Sequence, residues 1–291
     1  MTMSFFSIPL KELRKLHNIS QTYLANQLGL SQTSIGNYEK GIRFPNQQVL
    51  AQLTDYFQVS YDYLLGNDDS TNQRSKSHIE FSSDGLKFLE FLLHRKQEKA
   101  KELVLNIASS KENIQKIFFN ILLPTIKEAG DMWGRHELEL YNVYYISSVT
   151  KEIIYKLQPY VFHYSKDKRD KTLLAISYTC EQHDIGIRVF CELMRLKGWE
   201  IYFIEGDLPA SEYTNMIKEF HIDLVIITAT MQFNITTVEA IVKRIKDNTQ
   251  VKVLVGGPAF NTNWKLWKQV NADSCAADLH SAIKLANRLV N

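Results

Sequence analysis

The sequence predicts a multidomain α and α/β protein. It should contain an all-α N-terminal domain, a helical bundle, and a C-terminal Rossmann- or flavodoxin-like domain on a parallel five-stranded sheet. Three observations carry this. Helix start and stop signals recur through residues 1–66. Apolar residues recur at helical spacing from about Gly85 to Tyr160. From Thr172 onward, short β-rich apolar runs alternate with amphipathic segments, as in a parallel sheet covered on both faces. A chain of 291 residues suits more than one domain, and a hydrophobic content of 45% is ample for their cores.

The first domain is expected over residues 1–66. Ser20 is placed to cap a helix running to about Leu28, and Gly29 permits a tight turn after it. Ser31 caps the next helix, which should end near Gly41. Asn46, after Pro45, opens a fourth helix and Ser60 a fifth. Residues 67–84, NDDSTNQRSKSHIEFSSD, are polar without an apolar face and read as a linker. A cap bundle of three or four helices is expected over 85–165, punctuated by Pro124 and Gly130, with Leu86, Leu89, Leu92, Ile114, Ile117 and Phe118 among its apolar positions. The charged run SKDKRDK then leads into a domain over 166–291. Its strands are TLLAIS, EIYFI, DLVIIT, VKVLVG and a weak DSCA. Helices are expected at Ile185–Lys197, Ser211–Phe220, Thr236–Asp247, Asn263–Val270 and Asp278–Leu289.

A net charge of +2 argues against a polybasic nucleic-acid binder, so any DNA contact must be local. Three cysteines without paired spacing fit a reduced, cytoplasmic protein. No apolar run is long enough to span a bilayer, and the N-terminus lacks the features of a signal peptide. No membrane partner is expected.

Two short helices joined by a glycine turn make a helix-turn-helix. Early in its second helix stand Gln32, Thr33, Ser34 and Asn37, polar groups able to hydrogen-bond base edges in the major groove. Gln21, at the start of the first helix, is a further candidate contact. Lys40 and Arg43 lie where phosphates should pass, Ala25 allows close helix packing, and Ile35 should face inward. The order of Ala, Gly, Ser, Glu-Lys-Gly and Pro over residues 8–66 resembles the lambda-repressor/Cro-like (Xre) DNA-binding domain. That resemblance implies operator DNA as partner, bound by a homo-oligomer on paired half-sites.

In open α/β sheets, ligands bind beyond the carboxyl ends of the strands. His183 follows the first strand there, Thr228 ends the third, and Gly256-Gly257 end the fourth. A neutral imidazole suits a transition metal, Glu181 could fix its tautomer, and Thr228 could join that network. Glu181-x-His183-Asp184-Ile185-Gly186, Thr228-x-Thr230 and Gly256-Gly257 resemble the cobalamin-binding domain of methionine synthase and its relatives. The resemblance implies that His183 is the lower axial ligand of cobalt. The cofactor's displaced nucleotide tail would enter a slot lined by the hydroxyl residue and the glycines. The family usually has Asp at the position of Glu181 and Ser at that of Thr228. The run LLPTIKEAGDMWGRHELEL resembles the helical cap of light-responsive cobalamin-dependent transcription regulators, which implies Trp133 over the upper face of the corrin.

This chain departs from those regulators where they hold an adenosyl group. Val143 and Tyr144 stand in place of a Glu-His pair, and Gly134 in place of a histidine. Light response therefore stays open, and His136 reads as a surface residue. Haem is an alternative ligand for His183, as is a site that has lost its ligand. Zinc at Cys180-x-x-His183 lacks a second ligand pair. Thr228 stands where a phospho-receiver needs its acceptor Asp. The resulting expectation is a regulator, not an enzyme, whose C-terminal half senses a corrinoid. The enzymatic alternative is a corrinoid protein of a methyltransferase system, which needs no helix-turn-helix.

Overall fold

A computed structural model describes residues 7–16, 19–57, 81–165, 171–178, 183–206, 208–230, 234–261 and 266–290. The helix expected at Ser60, most of the linker, Cys180 and Glu181 lie outside the described residues. The chain divides into two compact units. The first comprises residues 1–76 with 231–236, and the second comprises 77–230 with 237–291.

In the first unit, α1 (Ser7–Leu16), α2 (Gln21–Gln27), α3 (Gln32–Glu39) and α4 (Gln47–Phe57) enclose a core of Leu10, Leu13, Leu24, Ala25, Ile35, Leu53 and Phe57. The caps are local and legible. Ser20 Oγ accepts the Tyr23 N–H, Ser31 Oγ that of Ser34, and Asn46 Oδ1 that of Val49. Gly29 turns the chain between α2 and α3 at φ +64°, a conformation that side-chain-bearing residues resist.

The second unit begins with a bundle of α5 (Ser83–Leu93), α6 (Gln97–Ile107), α7 (Lys111–Ile117), α8 (Leu123–Gly134) and α9 (Leu140–His163). Pro124 and Gly130 do not break it as expected. A π-helical turn, Phe118–Leu122, runs α7 straight into α8, and Pro124 sits in the first turn of α8. Proline cannot donate to the carbonyl four residues back, that of Asn120. The Ser82 hydroxyl donates to that oxygen instead, at 3.1 Å. The approach is close enough that a Cβ on Gly85 would stand 2.6 Å from the same oxygen. Leu86, expected at the core, is exposed, whereas Leu89, Leu92, Ile114, Ile117 and Phe118 are buried.

The sheet follows: β1 (Thr172–Ser177), β2 (Glu200–Glu205), β3 (Leu224–Thr228), β4 (Lys252–Gly256) and β5 (Ser274–Ala276). All pairs are parallel and the order is β2-β1-β3-β4-β5, the flavodoxin-like arrangement. The helices are α10 (Ile185–Arg195), α11 (Ala210–Glu219), α12 (Ile235–Asn248), α13 (Pro258–Asn261), α14 (Leu266–Gln269) and α15 (Leu279–Leu289). The short α13 was not expected. One sheet face, with Leu173, Ala175, Leu224, Ile226 and Leu254, packs on Ile187, Phe190 and Met194 of α10 and on Ala282 and Ala286 of α15. The alternate residues Leu174, Ile176, Val225, Ile227, Val253 and Val255 are buried too, so both faces are covered.

The α10 helix also serves the bundle. Its Ile185, Val189, Leu193 and Leu196 pack with Ile146, Ile153 and Leu157 of α9. Glu192 lies in this seam, 3% exposed at the side chain. Its Oε1 accepts from Gln158 at 3.0 Å and Arg195 at 2.5 Å, while Oε2 has no hydrogen-bond partner among the described residues. Burial pushes this carboxyl above its ordinary range, and Arg195 and Gln158 offset that only in part. A raised folded-state pKa means that stability falls as pH rises from the unfolded carboxyl's range through the folded value. Glu192→Gln is therefore expected to raise the melting temperature relative to the native chain at pH 8, with the gain shrinking toward pH 4. A pH-independent difference in thermal scans would show that ionisation of Glu192 is not the cause.

Candidate functional site

In the first unit, the residues expected to meet DNA fall on and beside α3. Gln32, Thr33, Lys40 and Arg43 are exposed, and Ser34, Asn37 and Gln21 are half-buried. Asn37 positions the segment after the helix, its carbonyl accepting the N–H groups of Ile42 at 2.9 Å and Arg43 at 3.3 Å. A polar chain runs inward from the surface. Gln32 Nε2 donates to Gln21 Oε1 at 2.7 Å, and Gln21 Nε2 donates to Glu39 Oε2 at 2.8 Å. Arg14 then grips Glu39 through Nε at 2.5 Å and Nη2 at 3.0 Å, and its Nη1 donates to the Ile19 carbonyl at 2.8 Å. Burial pushes the Glu39 carboxyl up, but Arg14 and Gln21 outweigh it and hold the group below its usual range. The orientation of the Gln32 amide thus traces back to a buried ion pair. Sequence reasoning missed Arg14, which lies 25 residues from its partner.

In the second unit, register builds the site. Thr228 of β3 pairs with Gly256 of β4, and Gly256 with Ala276 of β5, one row at the carboxyl edge of the sheet. A pocket of about 260 Å³ opens there. His183, Gly186, Thr228, Thr230, Gly256 and Gly257 all line it. It also takes in Ile187 and Phe190 of α10, Asn261 of α13, and Asp278 and Ala282 beside and on α15. Sequence reasoning missed these, because α13 and the start of α15 reach the site only through the fold.

The glycines differ in what they do. Gly257 has φ +99°, and a Cβ there would stand 2.5 Å from the Ala229 carbonyl oxygen. Gly256 is pressed against the Ala276 carbonyl, with a Cβ distance of 3.2 Å. These two serve close backbone approach between strand ends. The Ala229 N–H donates to the Gly256 carbonyl at 3.0 Å, and the Ala259 N–H to the Ala229 carbonyl at 3.1 Å. Gly186 is different: it is exposed on the pocket wall, and a Cβ there would meet nothing within 4 Å.

Asp184 and Ile185 do not line the pocket. Ile185 is buried in the bundle seam. Asp184 is 1% exposed and turned into an ionic network. Its Oδ2 accepts from Arg188 Nε at 2.6 Å, and Lys151 Nζ of α9 lies 2.6 Å from Oδ1. Arg188 also donates to Tyr155 of α9 at 2.5 Å and to Glu205 of β2 at 2.5 Å, with its guanidinium over the Phe203 ring. Burial lowers the Arg188 pKa but Asp184 outweighs it, so the guanidinium is held firmly charged. The residue after His183 is therefore tied to the bundle and to β2. Trp133, half-buried on α8, is not among the residues lining the pocket. His136 is exposed at φ +59° just past α8.

Among the described residues, no group of three or more His, Cys, Asp or Glu could hold a bare metal ion. A metal arriving inside its own macrocycle needs only one axial protein ligand and room for the ring. His183 is exposed, and a Cβ on Gly186 would meet nothing within 4 Å, so these residues are compatible with such a ligand.

Comparison with known proteins agrees with this geometry. A helix-turn-helix family model matches residues 10–64, and two B12 binding domain models match residues 87–158 and 171–281. The chain thus carries one region matched by a helix-turn-helix model, followed by two regions matched by B12 binding domain models. The chain is similar over 74 residues to the HTH-type transcriptional regulator AnsR of Bacillus subtilis, with 42% identity, covering 25% of this chain and 63% of that protein. The chain is also similar over 111 residues to a dimethylamine corrinoid protein of Methanosarcina barkeri, with 26% identity, covering 37% of this chain and 51% of that protein. The chain thus spans between half and two thirds of the length of these curated relatives. The monomethylamine corrinoid protein of Methanosarcina barkeri shares the fold, with TM-score 0.58 and 18% identity over 70% of this chain and 96% of that one. These matches leave the haem alternative without support. No helix among the described residues is long and apolar enough to cross a membrane.

Proposed function

We propose that the chain is a DNA-binding transcription regulator that senses a corrinoid. On this reading residues 1–66 bind operator DNA, 67–84 link, 85–165 cap the ligand, and 166–291 hold it. A bound corrinoid would supply cobalt, which the His183 imidazole would hold in place of the cofactor's own base. Glu181 fixes the imidazole tautomer, Thr228 and Thr230 border the slot for the displaced tail, and Trp133 covers the upper face. The observation that carries this is the convergence of His183, Gly186, Thr228, Thr230 and Gly256-Gly257 on one pocket of a chain that begins with a helix-turn-helix. The test is the absorption spectrum of the full chain mixed with hydroxocobalamin and gel-filtered. A retained cofactor with a base-off, histidine-on spectrum is expected, and His183→Ala should abolish it. Retention of that spectrum by the variant would place another ligand on cobalt.

On the DNA side, Gln32, Thr33, Ser34 and Asn37 read base edges, while Gln21, Lys40 and Arg43 serve position and phosphates. The protein acts as a homo-oligomer on paired half-sites. Gln32→Ala and Asn37→Ala are expected to weaken specific binding by roughly 1–3 kcal/mol each while leaving non-specific binding nearly unchanged. Equal losses on specific and random duplexes, measured at one salt concentration, would remove the base-reading role. Val143, Tyr144 and Gly134 speak against adenosyl-dependent light chemistry.

The likeness to corrinoid proteins favours one second reading, a corrinoid carrier of a methyltransferase system. The helix-turn-helix tells against it. Methyl transfer by purified protein that binds no DNA would establish it instead.

A further inference from the structure

We propose that the slot selects corrinoids by their nucleotide base, and takes a benzimidazole-type base in preference to a purine. This rests on the corrinoid reading above and goes beyond it, to which corrinoid the chain senses. The pocket is graded from mouth to floor. His183, Pro258, Asn261 and Asp278 at the mouth are exposed, and Thr228 and Thr230 are half-buried. The floor is Ile187, Phe190, Ile226, Ala276 and Ala282, all buried. The side chains of Ile187 and Phe190 stand three residues apart on α10, so one helix face supplies one wall. Ala282 of α15 and Ala276 of β5 line the same pocket, and their small size leaves it room.

No polar side chain stands on that floor among the described lining residues. The backbone of Ile226 is engaged in the sheet on both sides, with Ala175 and with Leu254, so the central strand adds no free polar group to the floor. A benzimidazole presents a hydrocarbon edge at its far end and fits such a floor. A purine carries ring nitrogens and an exocyclic amine there, and burying them without partners is unfavourable. One unmatched polar group is enough for a preference of about tenfold or more. The sugar and phosphate of the tail, in either corrinoid, stay at the polar mouth and do not discriminate.

The test uses the full chain in the dark. Three hydroxo- or aquo-corrinoids are titrated, with binding followed by absorbance change and by retention on gel filtration. They are cobalamin, with dimethylbenzimidazole; its adenine-based analogue; and cobinamide, which lacks the base. Cobalamin is expected to bind about tenfold tighter, or more, than the adenine analogue. Equal affinity, or a preference for adenine, overturns the proposal. So does binding of cobinamide as tight as that of cobalamin, a result that leaves the corrinoid reading intact. Retention of none of the three overturns the corrinoid reading and the proposal with it. Ala282→Leu, which fills the slot from α15, should erase the advantage of cobalamin over cobinamide while cobinamide still binds. A variant that keeps the full advantage shows that the base does not enter there.

Discussion

Gly257→Ala is expected to destabilise the second unit by about 3 kcal/mol or more, the combined cost of a disfavoured backbone conformation and a backbone clash. The residue holds φ +99°, which side-chain-bearing residues rarely adopt, and its Cβ would lie 2.5 Å from a carbonyl oxygen and 3.2 Å from the N of Ala229. The neighbour is backbone at the end of β3, so no rotamer change relieves it. Moving Ala229 would break its hydrogen bonds to Gly256 and Ala259 and shift the strand end that carries Thr228 and Thr230. Gly186→Ala should behave in the opposite way. Its Cβ meets open space, and alanine favours the helix over glycine, so urea unfolding should show equal or greater stability. On the proposed function, the same methyl group intrudes where the corrin approaches, and corrinoid retention should drop. A stable Gly257→Ala chain, or a Gly186→Ala chain that binds corrinoid as well as the native one, would count against this division of roles.

Arg14→Met is expected to cost the first unit about 3–5 kcal/mol, because it strands the buried Glu39 carboxylate without its cation. Glu39 is 4% exposed, and Arg14 meets both of its oxygens. In the native chain the carboxyl's pKa is held low, so its contribution is present above the ordinary carboxylate range and lost as pH falls through the folded value. In the variant burial acts unopposed by the arginine. The stability gap between the two proteins should therefore be wide at pH 7 and close in acid. Arg14→Met/Glu39→Met should recover most of the loss, since an apolar pair of similar size replaces the ions. Arg14→Met frees the Glu39 carboxylate that holds Gln21, and the double variant removes it, so both loosen Gln21 and, through it, Gln32, and both should bind specific DNA more weakly. A double variant no more stable than the single one would mean that packing around Arg14, not charge, is the loss.

Much of this architecture is legible in the sequence where the governing physics is local. The caps at Ser20, Ser31 and Asn46 depend on hydrogen bonds within three residues, and each is made. The β-strands stand where the apolar runs placed them, to within a residue at their ends. Strand order was open between flavodoxin-like and Rossmann-like, because pairing joins residues far apart in the chain. The same limit hid the Arg14–Glu39 pair and the tie from Asp184 to Lys151 of α9. Asp184 and Arg188, four apart across the start of α10, are readable as an ion pair, whereas the resemblance assigns Asp184 to the cofactor site. Pro124 misled because a proline normally ends a helix, and here a π-helical turn and the Ser82 hydroxyl absorb its missing donor. The glycine pair lines the pocket, as the resemblance implies. Its geometry answers to the backbones of Ala229 and Ala276, and the open wall is at Gly186.

For a corrinoid-sensing regulator, corrinoid binding is expected to change DNA binding. The most direct measurement selects a preferred duplex from a random pool with the full chain, then titrates that duplex at fixed salt with and without saturating hydroxocobalamin. Coupling between two sites commonly amounts to about 1–3 kcal/mol, so the dissociation constant should change by roughly 5- to 150-fold, and the change should vanish in His183→Ala. Identical affinity in both conditions, with cofactor shown to be bound, would contradict the account.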